Sequence, residues 1–251
     1  MSAGAGGAPG ARLGIVLQAR LDSSRLPGKS LLPLGGKPLA LRAMEALRGV
    51  PADARVLACP EDSAAAFLPL AKAAGFELLA GPKEDVLARY CLAIREFGLG
   101  RVIRATGDNP FVFADAAAAI DSEAAGLGAD YAGYSGLPLG AGVESVAAEA
   151  LLYAEKNSGA PLEREHVCPY LYGRPDVFLL HRPLAPRRWQ GAGMRFTVDT
   201  PKDYERAQAL CAALDRLEGE GRLGGGGRHD GAAIIAAYVG LFQGAPGEKP
   251  A

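Results

Sequence analysis

The most constraining feature of this sequence is the regular alternation of short apolar runs and helical patterns in its first half. Four apolar runs are predicted strands, at residues 13–19, 55–59, 76–79 and 101–105. Three segments between them have the apolar spacing of helices, at residues 38–48, 62–74 and 84–97, with Asp62 or Ser63 as the cap of the second. Strands that alternate with helices at this spacing form a parallel sheet covered on both faces. The sequence therefore predicts an α/β fold with a mostly parallel sheet flanked by helices.

The alternation becomes less regular after Pro110. Helices are predicted at residues 114–125, 147–156, 161–172, 201–217 and 230–242, and strands at residues 130–134, 177–181 and 194–198. The glycine- and proline-rich segment at residues 137–144 predicts a loop that enters a strand. Residues 1–12 are expected to be a disordered leader. Residues 219–251 are expected to form a glycine-rich linker, a short helix and a tail.

Composition excludes several classes of protein. With 251 residues and a formal net charge of −1, the chain is long enough for one α/β domain and has no bulk basicity for binding nucleic acid or an anionic membrane. No apolar run is long enough to span a bilayer, and the N-terminus has no secretory signal. The four cysteines are scattered without a C-x-x-C pair, so we expect buried free thiols in a protein of the reducing cytoplasm.

The first predicted strand leads into a loop rich in groups that bind phosphate. These groups are Arg20, Ser23, Ser24, Arg25, Gly28 and Lys29. Backbone N–H groups and short side chains can approach phosphate oxygens, while arginine and lysine neutralise their charge. The two commonest nucleotide fingerprints, the P-loop and G-x-G-x-x-G after a strand, are absent. A solvated loop with ordinary surface charge is the alternative, but this combination after a buried strand favours a polyphosphate site.

Two aspartates are candidates for a metal site. Asp108 follows the fourth predicted strand, and Asp199 follows the apolar run at residues 194–198. Each could simply form a turn or begin a helix. Because ligands bind at the carboxyl ends of parallel strands, however, Asp108 and the loop at residues 20–29 are expected at one edge. Carboxylates at such a site suit Mg²⁺, which completes its coordination with water and phosphate oxygens.

Four stretches together resemble the CMP-sugar synthetases, the cytidylyltransferases that activate Kdo and sialic acids. They are ARLDSSRLPGK with the following LGGKPL, EDVLARY at residues 84–90, TGDNPFV at residues 106–112 and VDTPKDY at residues 198–204. The resemblance runs from about residue 13 to about residue 214. Asn109 stands where the Kdo enzymes have glutamate in G-D-E-P. The chain therefore looks most similar to the related spore-coat polysaccharide branch, whose acceptor is poorly defined.

The resemblance implies the nucleotide-diphospho-sugar transferase fold, which is of the GT-A type and Rossmann-like. It implies one domain over residues 13–218, with a nucleotide-binding half at 13–112 and an acceptor and oligomer half at 113–218, and a homodimer. The implied reaction is Mg²⁺-dependent transfer of CMP from CTP to an anionic sugar acid or to a phosphate or phosphonate monoester. Arg20, Lys29, Asp108 and Asp199 would be catalytic, with the two aspartates on Mg²⁺. Nucleotide contacts would come from Leu17, Ala19, Arg20, Ser23, Ser24, Arg25, Gly28, Lys29, Asp62 and Thr106.

Acceptor-side candidates lie mostly in the less regular half. They are Asp85, Arg89, Glu144, Glu165 and His166. Asp85 and Arg89 are four residues apart, so a surface ion pair on one helix explains them equally well. Two other functions stay open: a glycosyltransferase on the same fold, although no convincing D-x-D motif is present, and a catalytically idle nucleotide-binding subunit. Lys29 is expected to hold the triphosphate and to contribute little to stability.

Overall fold

The structure is a computed structural model that describes residues 12–225 and 227–242. Most of the predicted leader and the tail after residue 242 lie outside these residues. The first half contains six strands and three helices in this order: β1 (Leu13–Gln18), β2 (Pro33–Leu34), β3 (Lys37–Pro38), α1 (Leu39–Ala46), β4 (Ala54–Pro60), α2 (Ala64–Ala74), β5 (Glu77–Gly81), α3 (Val86–Phe97) and β6 (Arg101–Thr106). The predicted alternation of strands and helices is confirmed.

The second half adds three short strands and six helices. In chain order they are α4 (Ala114–Leu127), β7 (Tyr131–Ala132), β8 (Glu144–Ala147), α5 (Ala148–Asn157), α6 (Pro161–His166), α7 (Pro169–Tyr172), β9 (Leu180–His181), α8 (Pro201–Gly219) and α9 (Gly231–Phe242). The described helices include none that is long and apolar enough to cross a membrane.

Strands from both halves form one seven-stranded sheet in the order β5-β4-β1-β6-β8-β7-β9. The first four strands are parallel, β8 runs antiparallel to β6 and β7, and β9 is parallel to β7. Side chains alternate along β1, so Ile15 and Leu17 pack against α1, α2 and α4 while Val16 packs against α3 and α5. This is the predicted α/β class, with a mostly parallel sheet between two layers of helices.

One predicted strand does not form. Residues 194–198 join no sheet ladder and make a single bridge, between Leu139 and Arg195. Their apolar side chains instead pack into a third core cluster with α8 and α9, where the rings of Phe196 and Tyr238 lie 5.4 Å apart. The apolar pattern correctly indicated burial, but burial alone does not specify a pairing partner. The same cluster incorporates α9, so the helix after the glycine-rich stretch is part of the core.

The helix predicted at residues 161–172 is broken at Val167. This buried residue has φ 72° and ψ −61°, and the backbone N–H of Cys168 donates to the carbonyl of His166 at 2.8 Å. That is a classic γ-turn, which is strained for a β-branched residue and typically costs about 1–3 kcal/mol. Pro169 then begins α7. The break leaves the end of α6 facing the carboxyl edge of the parallel strands.

All four cysteines are buried free thiols, as the sequence predicts. Burial raises the pKa of Cys59 to about 11 and that of Cys91 to about 12. Such thiols stay protonated near neutral pH and pack as small apolar groups.

Candidate active site

A cavity of about 540 Å³ lies at the carboxyl edge of the parallel strands. Loops that follow β1, β5 and β6 line it, together with the end of α6. Among the predicted residues, the lining contains Ala19, Arg20, Ser23, Ser24, Arg25, Lys29, Arg89, Thr106, Asp108, Glu165, His166 and Asp199. It does not contain Leu17, Gly28, Asp62, Asp85 or Glu144. The structure thus brings most of the predicted nucleotide residues into one cavity.

Lys29 is the centre of this cavity. The residue is 9% exposed, and its ammonium donates to Asp108 Oδ2 at 2.8 Å, to the carbonyl of Val198 at 2.9 Å and to Asp199 Oδ1 at 2.9 Å. All three ammonium donors are therefore used. Gly28 does not line the cavity, but its φ of 65° begins the short 3-10 helix that carries Lys29. Its role is conformational, because a side chain is strained at such a φ.

Asp199 is held by further cations. Arg195 Nη2 binds its Oδ2 at 2.6 Å, and the Nη2 of Arg25 lies 3.3 Å from its Oδ1. Burial alone would raise the pKa of Asp199, but hydrogen bonding to Lys29 and the charges of Lys29, Arg25 and Arg195 hold it below the usual range. The carboxylate therefore remains charged. Sequence reasoning missed Arg195, whose only signal is its position four residues before Asp199 in a non-helical segment.

The start of α8 fixes the backbone at Asp199. Thr200 caps this helix by accepting from the backbone N–H of Asp203 at 3.2 Å, and the Asp203 carboxylate returns a contact to the backbone N–H of Thr200 at 3.1 Å. This reciprocal arrangement is a capping box, with Pro201 as the first helical residue. The D-T-P sequence is thus both a helix start and a part of the cavity wall.

Asp108 is placed by the tight loop that follows β6. A Cβ at Gly107 would lie 2.9 Å from the Cβ of Ala19, so glycine allows the ends of β1 and β6 to approach each other. The carbonyl of Asp108 accepts from the backbone N–H of Val198 at 2.9 Å, which joins the loop to the segment before Asp199. Asp108 Oδ1 has no hydrogen bond within residues 12–225 and 227–242. It remains available to a ligand.

The two carboxylates fit a magnesium site that a phosphate group completes. Asp108 and Asp199 already share one cation, the ammonium of Lys29, and Asp108 retains an open oxygen. No cluster of three or more His, Cys, Asp or Glu side chains suited to a metal occurs in the described part of the chain. Mg²⁺ needs none, because it is usually bound by one or two carboxylates together with phosphate oxygens and water.

Ion pairs join the loop after β1 to α6 on one side of the cavity and to the loop after β5 on the other. On one side the Nη1 of Arg20 lies 3.7 Å from Glu165 Oε1, and on the other Lys83 binds Asp22 and also contacts Asp62 at 3.1 Å. Asp62 was predicted as a helix cap or a nucleotide contact. It caps no helix, because the N-cap of α2 is Ser63, whose side chain makes no capping bond. Hydrogen bonds from Ser63 and Lys83 instead hold the pKa of Asp62 below its usual range.

A second cavity of about 290 Å³, the branch, lies toward β8 and adjoins the first, because Arg104, Thr106 and Asn109 line both. Glu144 lies in this branch and accepts from Arg104 Nη1 at 2.5 Å and from the Tyr131 hydroxyl at 2.8 Å. Burial opposes the charge of Arg104, but the adjacent carboxylate raises its pKa above the usual range. Sequence reasoning missed Arg104, although an arginine inside an otherwise apolar strand was a detectable signal.

Asp85 and Arg89 do not form the ion pair that their spacing allows. Asp85 caps α3 by accepting from the backbone N–H of Ala88 at 2.9 Å, and Arg164 Nε binds its other oxygen at 2.9 Å. Arg89 Nη1 donates to the carbonyls of Pro82 at 2.6 Å and Lys83 at 3.0 Å. Arg89 therefore lines the main cavity beside β5 and does not line the branch that holds Glu144.

A parallel sheet with a basic, hydroxyl-bearing loop and two convergent carboxylates at its carboxyl edge suits an α/β nucleotidyltransferase. The model of the cytidylyltransferase family matches residues 14–222, and the chain belongs to this family. It is 31% identical over 202 residues to the spore coat polysaccharide biosynthesis protein SpsF of Bacillus subtilis, covering 78% of this chain and 84% of SpsF.

Two further comparisons agree. The chain is 30% identical over 245 aligned residues to a 3-deoxy-manno-octulosonate cytidylyltransferase of Anaeromyxobacter dehalogenans, covering 79% of this chain and 97% of that protein. A solved structure of a cytidylyltransferase from Leptospira borgpetersenii is similar with a TM-score of 0.75 at 22% identity, covering 84% of this chain and 95% of the other. The predicted nucleotide-diphospho-sugar transferase fold and the prediction of a CTP-using enzyme are confirmed.

Proposed function

We propose that this cytidylyltransferase transfers CMP from CTP to an anionic sugar acid or to a phosphate or phosphonate monoester, with Mg²⁺ as cofactor. The observation that carries the proposal is the bridge from Lys29 to both Asp108 and Asp199 in the cavity at the sheet edge. It unites the cation that would meet the triphosphate with the two carboxylates that would hold the metal. The resemblance also supports a homodimer, and the four buried thiols support a reducing cytoplasm as the compartment.

In the proposed reaction an acceptor oxygen attacks the α-phosphorus of CTP. The new P–O bond forms as the bond to the bridging oxygen of the leaving pyrophosphate breaks, and the acceptor proton passes to solvent. Bound Mg²⁺ would supply charge neutralisation at the phosphates. Arg20, Arg25 and Lys29 would neutralise the remaining charge, and Ser23 and Ser24 would donate hydrogen bonds. No covalent enzyme intermediate is needed, so the catalytic contribution is positioning and electrostatic stabilisation.

The acceptor would enter from the β8 side of the cavity. The branch there contains the Arg104–Glu144 pair, and Glu165 and His166 line the main cavity. Carboxylate and hydroxyl groups in the branch suit a ligand with several hydroxyls, while Arg104 suits a negative charge. The names of the two relatives, one for a sugar acid and one for polysaccharide biosynthesis, support the same class of acceptor.

The test is release of pyrophosphate from CTP in the presence of Mg²⁺ and a panel of acceptors. The panel contains 3-deoxy-manno-octulosonate, sialic acids, other sugar acids, sugar phosphates and phosphonates. We expect one panel member to give pyrophosphate together with an equimolar CMP-linked product, and EDTA to abolish both. Release that is independent of every acceptor, or that survives EDTA, would contradict the proposal. When Asp108→Asn and Asp199→Asn are assayed in the same way, Asp62→Asn is the control, because its carboxylate lies near the cavity but is not expected to bind metal.

A further inference from the structure

Cations of the protein hold most of the carboxylate oxygens at the candidate metal site. Asp108 Oδ2 and Asp199 Oδ1 share the ammonium of Lys29, at 2.8 Å and 2.9 Å. Arg195 binds Asp199 Oδ2 at 2.6 Å, and Arg25 lies 3.3 Å from Asp199 Oδ1. Of the four oxygens, only Asp108 Oδ1 has no hydrogen bond or ion pair to any residue that the structure describes. A metal ion that approaches the two carboxylates therefore finds one free oxygen.

The ammonium of Lys29 occupies the place of a metal ion shared by both aspartates. Mg²⁺ binds carboxylate oxygens at about 2.1 Å, and the ammonium nitrogen lies 2.8 Å and 2.9 Å from the same two oxygens. An ion bound to both oxygens would thus lie no more than about 5 Å from the ammonium. Cations this close repel each other strongly where solvent is scarce, and Lys29 is only 9% exposed. In this geometry the aspartates can hold the ammonium or the metal, but not both.

A triphosphate can release the aspartates from these cations. Lys29 and Arg25 both line the main cavity, and the ammonium of Lys29 is carried on a flexible four-carbon stem. Phosphate oxygens are anionic acceptors, so they can replace the carboxylates as partners of both cations. When Lys29 turns to a phosphate, one oxygen of Asp108 and one of Asp199 become free. Phosphate oxygens and water can then complete the coordination of the metal.

We infer that Lys29 keeps the metal position closed until a nucleotide binds, so that the metal enters with CTP or after it. This inference rests on the proposed metal site at Asp108 and Asp199. The protein by itself binds the metal weakly, and CTP raises the affinity for the metal by withdrawing the ammonium. By thermodynamic linkage the metal raises the affinity for CTP by the same factor. Lys29 thus couples the binding of the two ligands, in addition to neutralising phosphate charge.

The experiment titrates the protein with Mn²⁺ alone, which takes oxygen ligands as Mg²⁺ does, and follows the free ion by electron paramagnetic resonance. The proteins are the wild type, Lys29→Met and the control Lys37→Met. Lys37 is a matched control because its ammonium pairs with a single carboxylate, Glu45 Oε1 at 2.7 Å, and does not line the cavity.

Without nucleotide, Lys29→Met should bind one Mn²⁺ at least about 100-fold more tightly than the wild type or the control. The physical reason is that this change leaves two carboxylates without their shared cation. Adding Asp199→Asn to Lys29→Met should abolish the binding, because the site then loses one of its two carboxylates.

Two results would overturn the inference. One is equal affinity for Mn²⁺ in the wild type and in Lys29→Met, including no binding by either protein. The other is binding that survives in the double variant, which would place the ion away from the aspartates. A failure of the proposed cofactor would show differently, as pyrophosphate release from CTP that survives EDTA. These titrations contain neither CTP nor an acceptor, so the two failures are distinguishable.

Should Lys29→Met fail to fold, the melting temperature of the wild type decides. We expect Mn²⁺ alone to leave it unchanged, and Mn²⁺ together with CTP to raise it more than CTP alone does. A rise with Mn²⁺ alone would overturn the inference.

Discussion

Two cations are buried in the same cavity, and the protein treats them differently. Lys29 at the β6 end is surrounded by Asp108, Asp199 and a backbone carbonyl, whereas Arg89 at the β5 end has only carbonyl partners. The first charge is balanced within the protein and the second is not. The β6 end is therefore a complete internal ion-pair network, whereas the guanidinium at the β5 end has no acidic partner among the described residues.

The largest expected effect is at the balanced centre. Asp108→Asn and Asp199→Asn should each lower the turnover rate by about 10²–10³-fold, as is typical when one electrostatic stabiliser is lost. The double variant should lose little more than either single variant, because each change empties or distorts one shared site. Turnover at saturating Mg²⁺ measures this. Multiplicative losses would show that the two aspartates act separately and do not share one site.

The next effect concerns stability. The sequence predicts that Lys29 contributes little to stability, but its contacts in the structure indicate a larger contribution. Lys29→Met leaves two carboxylates facing each other without their shared cation, so the free energy of unfolding should fall by about 2–3 kcal/mol. Urea unfolding without ligand measures it. Added Mg²⁺ should restore part of the loss, since it can replace the ammonium between the carboxylates. Unchanged stability would mean that Lys29 acts on the triphosphate alone.

The pH dependence of stability tests how much the charge of Asp199 contributes at the balanced end. The pKa of Asp199 is depressed in the folded protein, so its charge stabilises the fold above the usual aspartate pKa of about 4. This contribution is lost as the pH falls through the lower folded value. The wild type should therefore be more stable than Asp199→Asn at pH 6, and the two should converge below about pH 4. Urea unfolding between pH 3 and pH 7 provides the measurement, and a constant difference would contradict it.

The smallest effect is expected at the unbalanced end. Arg89→Met removes a charge that has no counter-ion, and this gain offsets the loss of two hydrogen bonds to carbonyls. We expect the free energy of unfolding to change by no more than about 1 kcal/mol. The measurement is urea unfolding in parallel with Lys29→Met. A loss as large as that of Lys29→Met would show that Arg89 is a structural residue and would remove the distinction between the two ends.

The parallel half of the fold was predictable because its strands are buried on both faces. Continuous apolar runs such as those of β1 and β4 mark such strands directly. The second half was harder, because short antiparallel strands and buried loops give similar patterns. Residues 194–198 are as apolar as a strand but pack as a loop against α8 and α9, and the break at Val167 depends on a strained turn that no residue preference indicates.

The candidate site was predictable where several functional side chains lie close together in the sequence or directly follow an apolar run. The loop at residues 20–29 and the aspartates after two apolar runs were identified, and the structure brings them together. What the sequence did not indicate is pairing across long distances. The bond from Lys29 to Asp199 joins residues 170 positions apart, and Arg104 and Glu144 meet only because β8 pairs with β6. From the sequence, Arg89 was equally compatible with a surface ion pair to Asp85, whereas in the structure it is buried and donates to two backbone carbonyls.

The reversed direction of β8 has a consequence for how this enzyme could be diversified. Glu144 stands at the beginning of its strand, opposite Arg104 in the ladder, and is reached through the segment at residues 133–143. The same segment contacts the candidate site, because Leu139 and Gly140 line the main cavity and the backbone of Leu139 bonds to residues 194, 196 and 197. Under the proposed function, replacing residues 133–143 with the equivalent segment of a relative would change the surroundings of Glu144 and also the backbone support of the segment before Asp199. An exchange of this segment would therefore have to keep the backbone bonds of Leu139, which couple the surroundings of Glu144 to those of Asp199.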